Sequence, residues 1–325
     1  MKKLFFILTA VFCVLAALSA IAEGEIAAMP FAPNPEEDFA FDAETGTITE
    51  YIGTAVDVVI PREIGGMPVR RIGYNAFDCA RDYTDTDVLT NRKDWLRLRS
   101  VVLPETVEAI EDSAFSYCQQ LELFVCYAPL STTGRGVFML CRGLKNAVFV
   151  NGVGEIDNYA FEGCASLERM DWGDRLARIG ENAFNRCGWK KLVIDAETVD
   201  VGAFNHSALE EIVLTDRVRE IHASAFYCCE SLTRILCQFS EAERFVDGGP
   251  FGGIPATGVE TLFPADTTED QLKALKGKLN IWNGGHLGNG NEITLAEIAF
   301  EEPDALDPEI LWDQVTAPSD ASGAE

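Results

Sequence analysis

Positive charge is scarce in this sequence. Its 325 residues carry 26 Lys plus Arg against 52 Asp plus Glu, a formal net charge of −26, and no run of Lys and Arg forms a basic patch. Such a chain repels a phosphate backbone, which sets nucleic-acid partners aside. Histidine is almost missing as well: His206, His222 and His286 are the three present. None lies in H-E-x-x-H or beside a C-x-x-C pair, so neither a zinc site nor any other metal or cofactor is expected. Long apolar runs are absent after the first, which extends from Leu4 to Leu18 behind Lys2 and Lys3 and closes on Ala20-Ile21-Ala22. That layout reads as a signal peptide. It is short for a span of ~20 residues, and the residues behind it are acidic, so a membrane anchor is not expected. Cys13 lies mid-run, away from the junction where a lipid-accepting cysteine belongs, and would leave with the peptide. Removing Lys2 and Lys3 from the count leaves 24 minus 52, a mature charge of −28. With no L-P-x-T-G-like sorting motif, export without a recognisable covalent anchor is expected.

What the chain does hold is core material, 47% apolar and 10% aromatic, and that material is periodic. Ala-Phe recurs at Ala76-Phe77, Ala114-Phe115, Ala160-Phe161, Ala183-Phe184, Ala203-Phe204 and Ala225-Phe226, with Val137-Phe138 and Pro250-Phe251 in phase. Successive Phe residues are 38, 23, 23, 23, 20, 22 and 25 positions apart, the signature of stacked repeats. Five residues before each Phe stands Ile72, Ile110, Ile156, Ile179, Val199, Ile221 or Val246, with Thr133 the exception. A cysteine follows, three on at Cys118, Cys141, Cys164, Cys187 and Cys229, two on at Cys79; Ser207 replaces it once. Next come seven L-x-x-φ-x-φ segments: Leu98-Val101-Leu103, Leu121-Phe124-Cys126, Leu144-Ala147-Phe149, Leu167-Met170-Trp172, Trp189-Leu192-Ile194, Leu209-Ile212-Leu214 and Leu232-Ile235-Cys237.

In a strand the two φ residues share a face and the residue between them points the other way. One such unit cannot bury its apolar face alone, so neighbours must stack. The predicted fold class is an α/β repeat solenoid, a curved array with a parallel sheet on one face and turns or short helices on the other. Residues 81–94, inside the 38-residue gap, read as an inserted surface loop.

The pattern I-x-x-x-A-F-x-x-C-x-x-L-x-x-φ-x-φ resembles the BspA-like leucine-rich repeat. So does the lead-in from Ile48-Thr49-Glu50-Tyr51 to Val58-Val59-Ile60-Pro61, with Gly65-Gly66-Met67-Pro68-Val69. The resemblance covers roughly residues 40–253. It implies a leucine-rich-repeat solenoid, secretion or cell-surface display in bacteria or some protists, and adhesion or protein binding rather than catalysis. Thr133, Ser207 and the short unit around Val199 to Phe204 depart from the pattern.

Several motifs invite chemistry and do not support it. The recurring cysteines read as small packing residues, with Cys228-Cys229 the least regular pair. Asp82, Asp85 and Asp87 lack the glycine and terminal glutamate of an EF-hand loop. The glycine-rich stretch Gly248 to Gly253 has no following Lys-Ser or Lys-Thr to hold phosphate, and reads as a turn. Catalytic carboxylate pairs must face each other across a cleft, which no count of acids shows. No catalytic residue is assigned, and no enzymatic activity is expected.

The outward strand residues are more informative. Val102, Val125, Val148, Asp171, Val193, Val213 and Leu236 form a column that is apolar in all members except Asp171. Exposed, it would be a contact stripe, and it is the predicted ligand-binding surface. Beside it runs an alternating charge column, Arg99, Glu122, Lys145, Glu168, Lys190 and Glu210, expected to face opposite charges on both sides and to set register. The predicted organisation is a signal peptide at 1–22, a lead-in and cap at 23–56, about eight repeats at 57–253, a strand-helix cap at 254–282 with Thr268 and Gln271 capping the helix, and a Gly/Asn linker with an acidic, mostly disordered tail at 283–325. The expected function is non-enzymatic binding of an extracellular protein or glycoconjugate, outside the cell or at its surface. The alternatives are a self-associating structural component and, more distantly, a secreted hydrolase.

Overall fold

The structure is a computed structural model that describes residues 29–77, 98–246, 249–255, 258–280 and 292–296. The signal-peptide stretch, the 81–94 insertion with its three aspartates, His286 and most of the acidic tail lie outside the described residues.

The φ-x-φ segments become parallel strands that stack coil on coil as a front face. Asp57–Val59, Ser100–Leu103, Leu123–Cys126, Asn146–Phe149 and Arg169–Asp171 pair in that order, and Lys191–Ile194, Glu211–Leu214, Arg234–Cys237, Glu260–Pro264 and Glu292–Ala296 form a second run. The register aligns Val102 with Val125, Val148 and Asp171, and Val193 with Val213, Leu236 and Leu262.

The opposite face corrects the α/β expectation. It is a second parallel sheet of very short strands, Leu130–Thr132, Val153–Ile156, Arg178–Ile179, Thr198–Val199 and Glu220–Ile221. Among the described residues turns, not helices, join these two faces. The reason lies in the backbone: each Phe is bracketed by left-handed residues two positions before and two after. Asn75, Ser113, Tyr159, Asn182 and Ser224 on one side, and Tyr117, Leu140, Arg186, His206 and Cys228 on the other, have φ between 51° and 62°. Glycine fills the equivalent place at Gly136, Gly163, Gly202, Gly249 and Gly253. A left-handed residue every fourth position ends a helical run before it can propagate. The molecule is therefore a β-solenoid. Among the described residues one α-helix occurs, Glu269–Asn280; its Thr268 and Gln271 bond reciprocally as a capping box, and it buries Leu275 in the main core.

The core is a column of rings. Tyr51, Phe77, Phe115, Phe138, Phe161, Phe184, Phe204, Phe226 and Phe251 stack with centroids 4.8 to 5.4 Å apart. Each turn also links to the next through its backbone, as where Phe161 N–H donates to the Ala183 carbonyl at 2.8 Å. The recurring cysteines Cys118, Cys141, Cys164, Cys187 and Cys229 line this column as buried side chains, and their position has a polar use too. Cys118, Cys141, Cys164, Cys187 and Cys229 donate to the carbonyls of Phe77, Phe115, Phe138, Phe161 and Phe204 at 3.1 to 3.2 Å. Ser207 donates to Phe184 in the same way at 2.8 Å. Thr133, the other departure, is buried and accepts from the Asp157 amide at 3.0 Å. One register assignment is corrected: Val246 is exposed, and Phe245, fully buried and bridged to Ile221, fills the apolar slot of the last unit.

Candidate interaction surface

The outward column was expected to be exposed, and most of it is not. Val102, Val125 and Val148 show 0, 0 and 1% of their surface. The cover is the segment preceding the first repeat. Met29 and Phe31 pack onto these valines together with Val59, Leu123, Tyr127 and Val150. Phe31 meets the Tyr127 ring edge-on at 6.3 Å. Polar contacts fasten the segment: Asn34 N–H donates to the Val59 carbonyl at 2.9 Å, and Asn34 Oδ1 accepts from Val59 N–H at 2.7 Å. Arg62 donates to the Met29 carbonyl at 2.8 Å while pairing with Glu105. A charged column would have been the signal for a wet face; six apolar residues of seven signal a covered one equally well, because burial and contact both select for Val.

Val213, Leu236 and Leu262 in the second run retain 4, 3 and 6% exposure. They form a cluster of their own, with Val193 packed at its margin. Between the two buried stretches lie Asp171 and Val193, both half-buried. Asp171 keeps its carboxylate occupied locally, Oδ1 accepting from Gly173 N–H at 2.9 Å.

That interval coincides with an interruption in the sheet. Among the described residues no pairing joins Arg169–Asp171 to Lys191–Ile194, although on the back face the same two coils remain paired through Ile156 and Ile179. Two indoles sit at this boundary. Trp172 takes the second φ place and Trp189 the leading Leu place, with centroids 6.1 Å apart and rings edge to face. Other coils place Leu, Ile, Cys or Phe at these positions, and the greater bulk of two adjoining indoles in a packed layer displaces its neighbours. Met170 and Leu192, which face the core, are consequently only half-buried.

The charge column is paired rather than continuous. Lys145 meets Glu122 at 2.8 Å and Lys190 meets Glu210 at 3.0 Å. Arg99 turns instead to Asp57, which bonds its guanidinium through both oxygens; that bonding raises the Arg99 pKa above its ordinary value. Exposed pairs of this kind contribute about 0.2–1 kcal/mol each, which suits register better than stability.

An open trough of about 400 Å³ runs along the turns, lined in part by Arg186, His206, Cys228 and Glu230. It holds one carboxylate, where glycoside hydrolysis uses two facing each other. Among the described residues no three His, Cys, Asp or Glu gather as a metal-binding group, and no helix there is long and apolar enough to cross a membrane.

Comparison with known proteins adds the following. The family model for the BspA type leucine rich repeat region matches residues 93–202 and 195–243, with six copies. No curated protein matches the chain. Among solved structures, a leucine rich cell surface protein from Faecalibacterium prausnitzii is similar at 22% identity, covering 73% of this chain and 71% of that one with a TM-score of 0.48. A leucine-rich repeat protein from Bacteroides ovatus is similar at 19% identity, over 72% of this chain and 79% of its own, with a TM-score of 0.40. A T. pallidum leucine rich repeat protein shows 21% identity over 82% of this chain and 100% of its own, with a TM-score of 0.35. The register of rings, thiols and front strands and the six matched copies thus agree, and residues 93–243 are a leucine-rich repeat region of the BspA type.

Proposed function

We propose that this chain is an exported, non-enzymatic interaction protein that binds an extracellular polypeptide at the interval between its two front sheets. The observation that carries this reading is the coincidence of partial exposure and unpaired strand edges at one place. Asp171 and Val193 are the open members of an otherwise buried column, Arg169 and Lys191 beside them are exposed, and two strand edges there lack a ladder partner among the described residues. An unpaired edge offers main-chain donors and acceptors that an extended peptide can match, while neighbouring side chains select which peptide. This favours a polypeptide over a glycoconjugate. Export is supported by the charged start, apolar run and A-x-A close of residues 1–22.

The test compares the mature protein with an Arg169→Glu/Lys191→Glu variant as bait for proteins from its native surroundings. Exposed substitutions cost within about 0.5 kcal/mol each, so the fold should persist. A partner held by the parent and weakened tenfold or more by the variant supports the interval as the site; equal retention moves binding elsewhere. The same edges can pair with a second copy, so self-association is the second reading, recognised by a mass in light scattering that rises with concentration. Turnover of any member of a glycan and peptide panel would favour a hydrolase instead.

A further inference from the structure

We propose that the trough along the turns binds short free peptides, holding the terminal carboxylate between Arg186 and His206 and the terminal ammonium at Glu230. The trough comes from a shortening that recurs in two successive coils. Two residues separate Cys118 from Leu121, Cys141 from Leu144, Cys164 from Leu167 and Cys229 from Leu232, whereas one separates Cys187 from Trp189 and Ser207 from Leu209. In the four longer connections the leucine N–H donates to the cysteine carbonyl at 3.1 Å and closes a turn. The two shorter connections have no residue to spare for that turn. Ala208 N–H donates across to the Cys187 carbonyl at 3.0 Å instead. Gly188 is pressed so closely on the preceding coil that a Cβ there would lie 2.2 Å from the Ala165 carbonyl oxygen. The surface is therefore recessed over two coils, leaving about 400 Å³ between Ala165 on one side and Glu230 on the other, a volume within the range of small-ligand sites.

The chemistry of the rim selects the ligand. Arg186 and His206 occupy the same left-handed turn position of neighbouring coils, with φ of 59° and 55°, so they stand one step of ~4.8 Å apart. Both are exposed, and among the described residues neither the guanidinium nor the imidazole has a hydrogen-bond or ion-pair partner. The His206 ring meets the Tyr227 ring edge-on at 6.1 Å, which holds it at the rim. Two N–H-bearing groups at that spacing suit the two oxygens of one carboxylate. Glu230, exposed on the opposite wall, lies two coil steps from Arg186, about 10 Å along the stack, and suits an ammonium. A simple anion would meet both Glu230 and a formal charge of −26, whereas a zwitterion enters that field with no net charge. An extended peptide of two or three residues spans about 7–10 Å, which matches the distance between the two ends. This inference does not depend on what binds at the front interval.

Calorimetric titration of the full chain with tri-alanine tests it. Saturable binding with a dissociation constant of about 0.1–5 mM is expected for an open site of this size. Tri-alanine amide and N-acetyl-tri-alanine, which each lack one terminal charge, should bind about tenfold more weakly or worse. Arg186→Ala should show the same loss for the free peptide and no further loss for the amide, and Glu230→Gln should do likewise with the acetylated form, because each pair removes one shared contact. Arg71→Ala, on a distant back strand, removes one positive charge and should bind as the parent does. All of these are exposed substitutions that leave the fold in place. Absence of saturation by about 10 mM, equal binding of the amide, or a loss in Arg71→Ala as large as that in Arg186→Ala overturns the proposal.

Discussion

Ser207 explains what the cysteines around it are for. It takes their place in the repeat and donates to the Phe184 carbonyl as they donate to theirs, so the slot requires a small side chain with one donor rather than sulfur. Cys164→Ser should therefore change stability by less than about 0.5 kcal/mol at neutral pH, whereas Cys164→Val should cost about 1–3 kcal/mol, because it leaves the Phe138 carbonyl with the Cys141 amide as donor in place of two and forces a branched side chain into a filled slot; denaturant melts of the two variants decide. The thiols also set an alkaline limit. Burial pushes Cys126 and Cys229 up to about 12 and raises Cys164, Cys187 and Cys237 as well. The folded chain thus keeps protons that the unfolded chain releases from pH ~8.5 upward. Stability is complete below that value and falls as pH rises towards about 12, by about 1.4 kcal/mol per pH unit for each buried thiol. Melts between pH 8 and 10.5 should show a steep decline, shallower by one thiol's share in Cys164→Ser; a flat profile would mean that the thiols titrate normally. From the sequence this slot was legible as a packing position, and Ser207 was the available clue to its donor. Phe245 was not legible, because Val246 beside it satisfies the same spacing and only the bridge to Ile221 distinguishes them.

Front strands were readable because period-two alternation is a property of a strand alone. The back face was not: its strands are as short as two residues, below any periodicity, and the left-handed positions that exclude helices are filled by residues as unlike as Tyr, Leu, Arg and His. The ring column gives this scale its main energetic test. Phe161 is fully buried between Phe138 and Phe184 at 5.0 and 5.2 Å, so Phe161→Ala should cost about 3–5 kcal/mol in a denaturant melt; a loss under about 1 kcal/mol would place the ring outside the core. The indole pair provides a converse test. Replacing Trp189 by Leu, the residue that other coils use, should let the Arg169–Asp171 and Lys191–Ile194 strands pair. Amide exchange at Lys191 to Val193 should slow by tenfold or more, and unchanged exchange would mean that Trp189 does not hold the strands apart.

For the molecule as a whole, the period and the stacking direction were present in the sequence, because each repeat touches only its neighbours. The cover over the outward column was not, since it joins Met29 and Phe31 to Val148 across more than a hundred residues and carries no repeat signature. Whole-molecule electrostatics yield one more expectation. A formal charge of −26 repels itself, while the ion pairs across coils are exposed and weak. Raising NaCl from about 10 mM to about 300 mM shortens the screening length from ~30 Å to ~6 Å and should raise the melting temperature; a fall would show that the ion pairs outweigh the repulsion. The indole boundary also has a mechanical meaning. At that boundary the back ladder and the turn-to-turn bonds run on while the front ladder stops, as in a beam with one flange cut. Bending compliance then concentrates between Asp171 and Val193, so the curvature of the front face adjusts at its centre while the two stiff halves move as units.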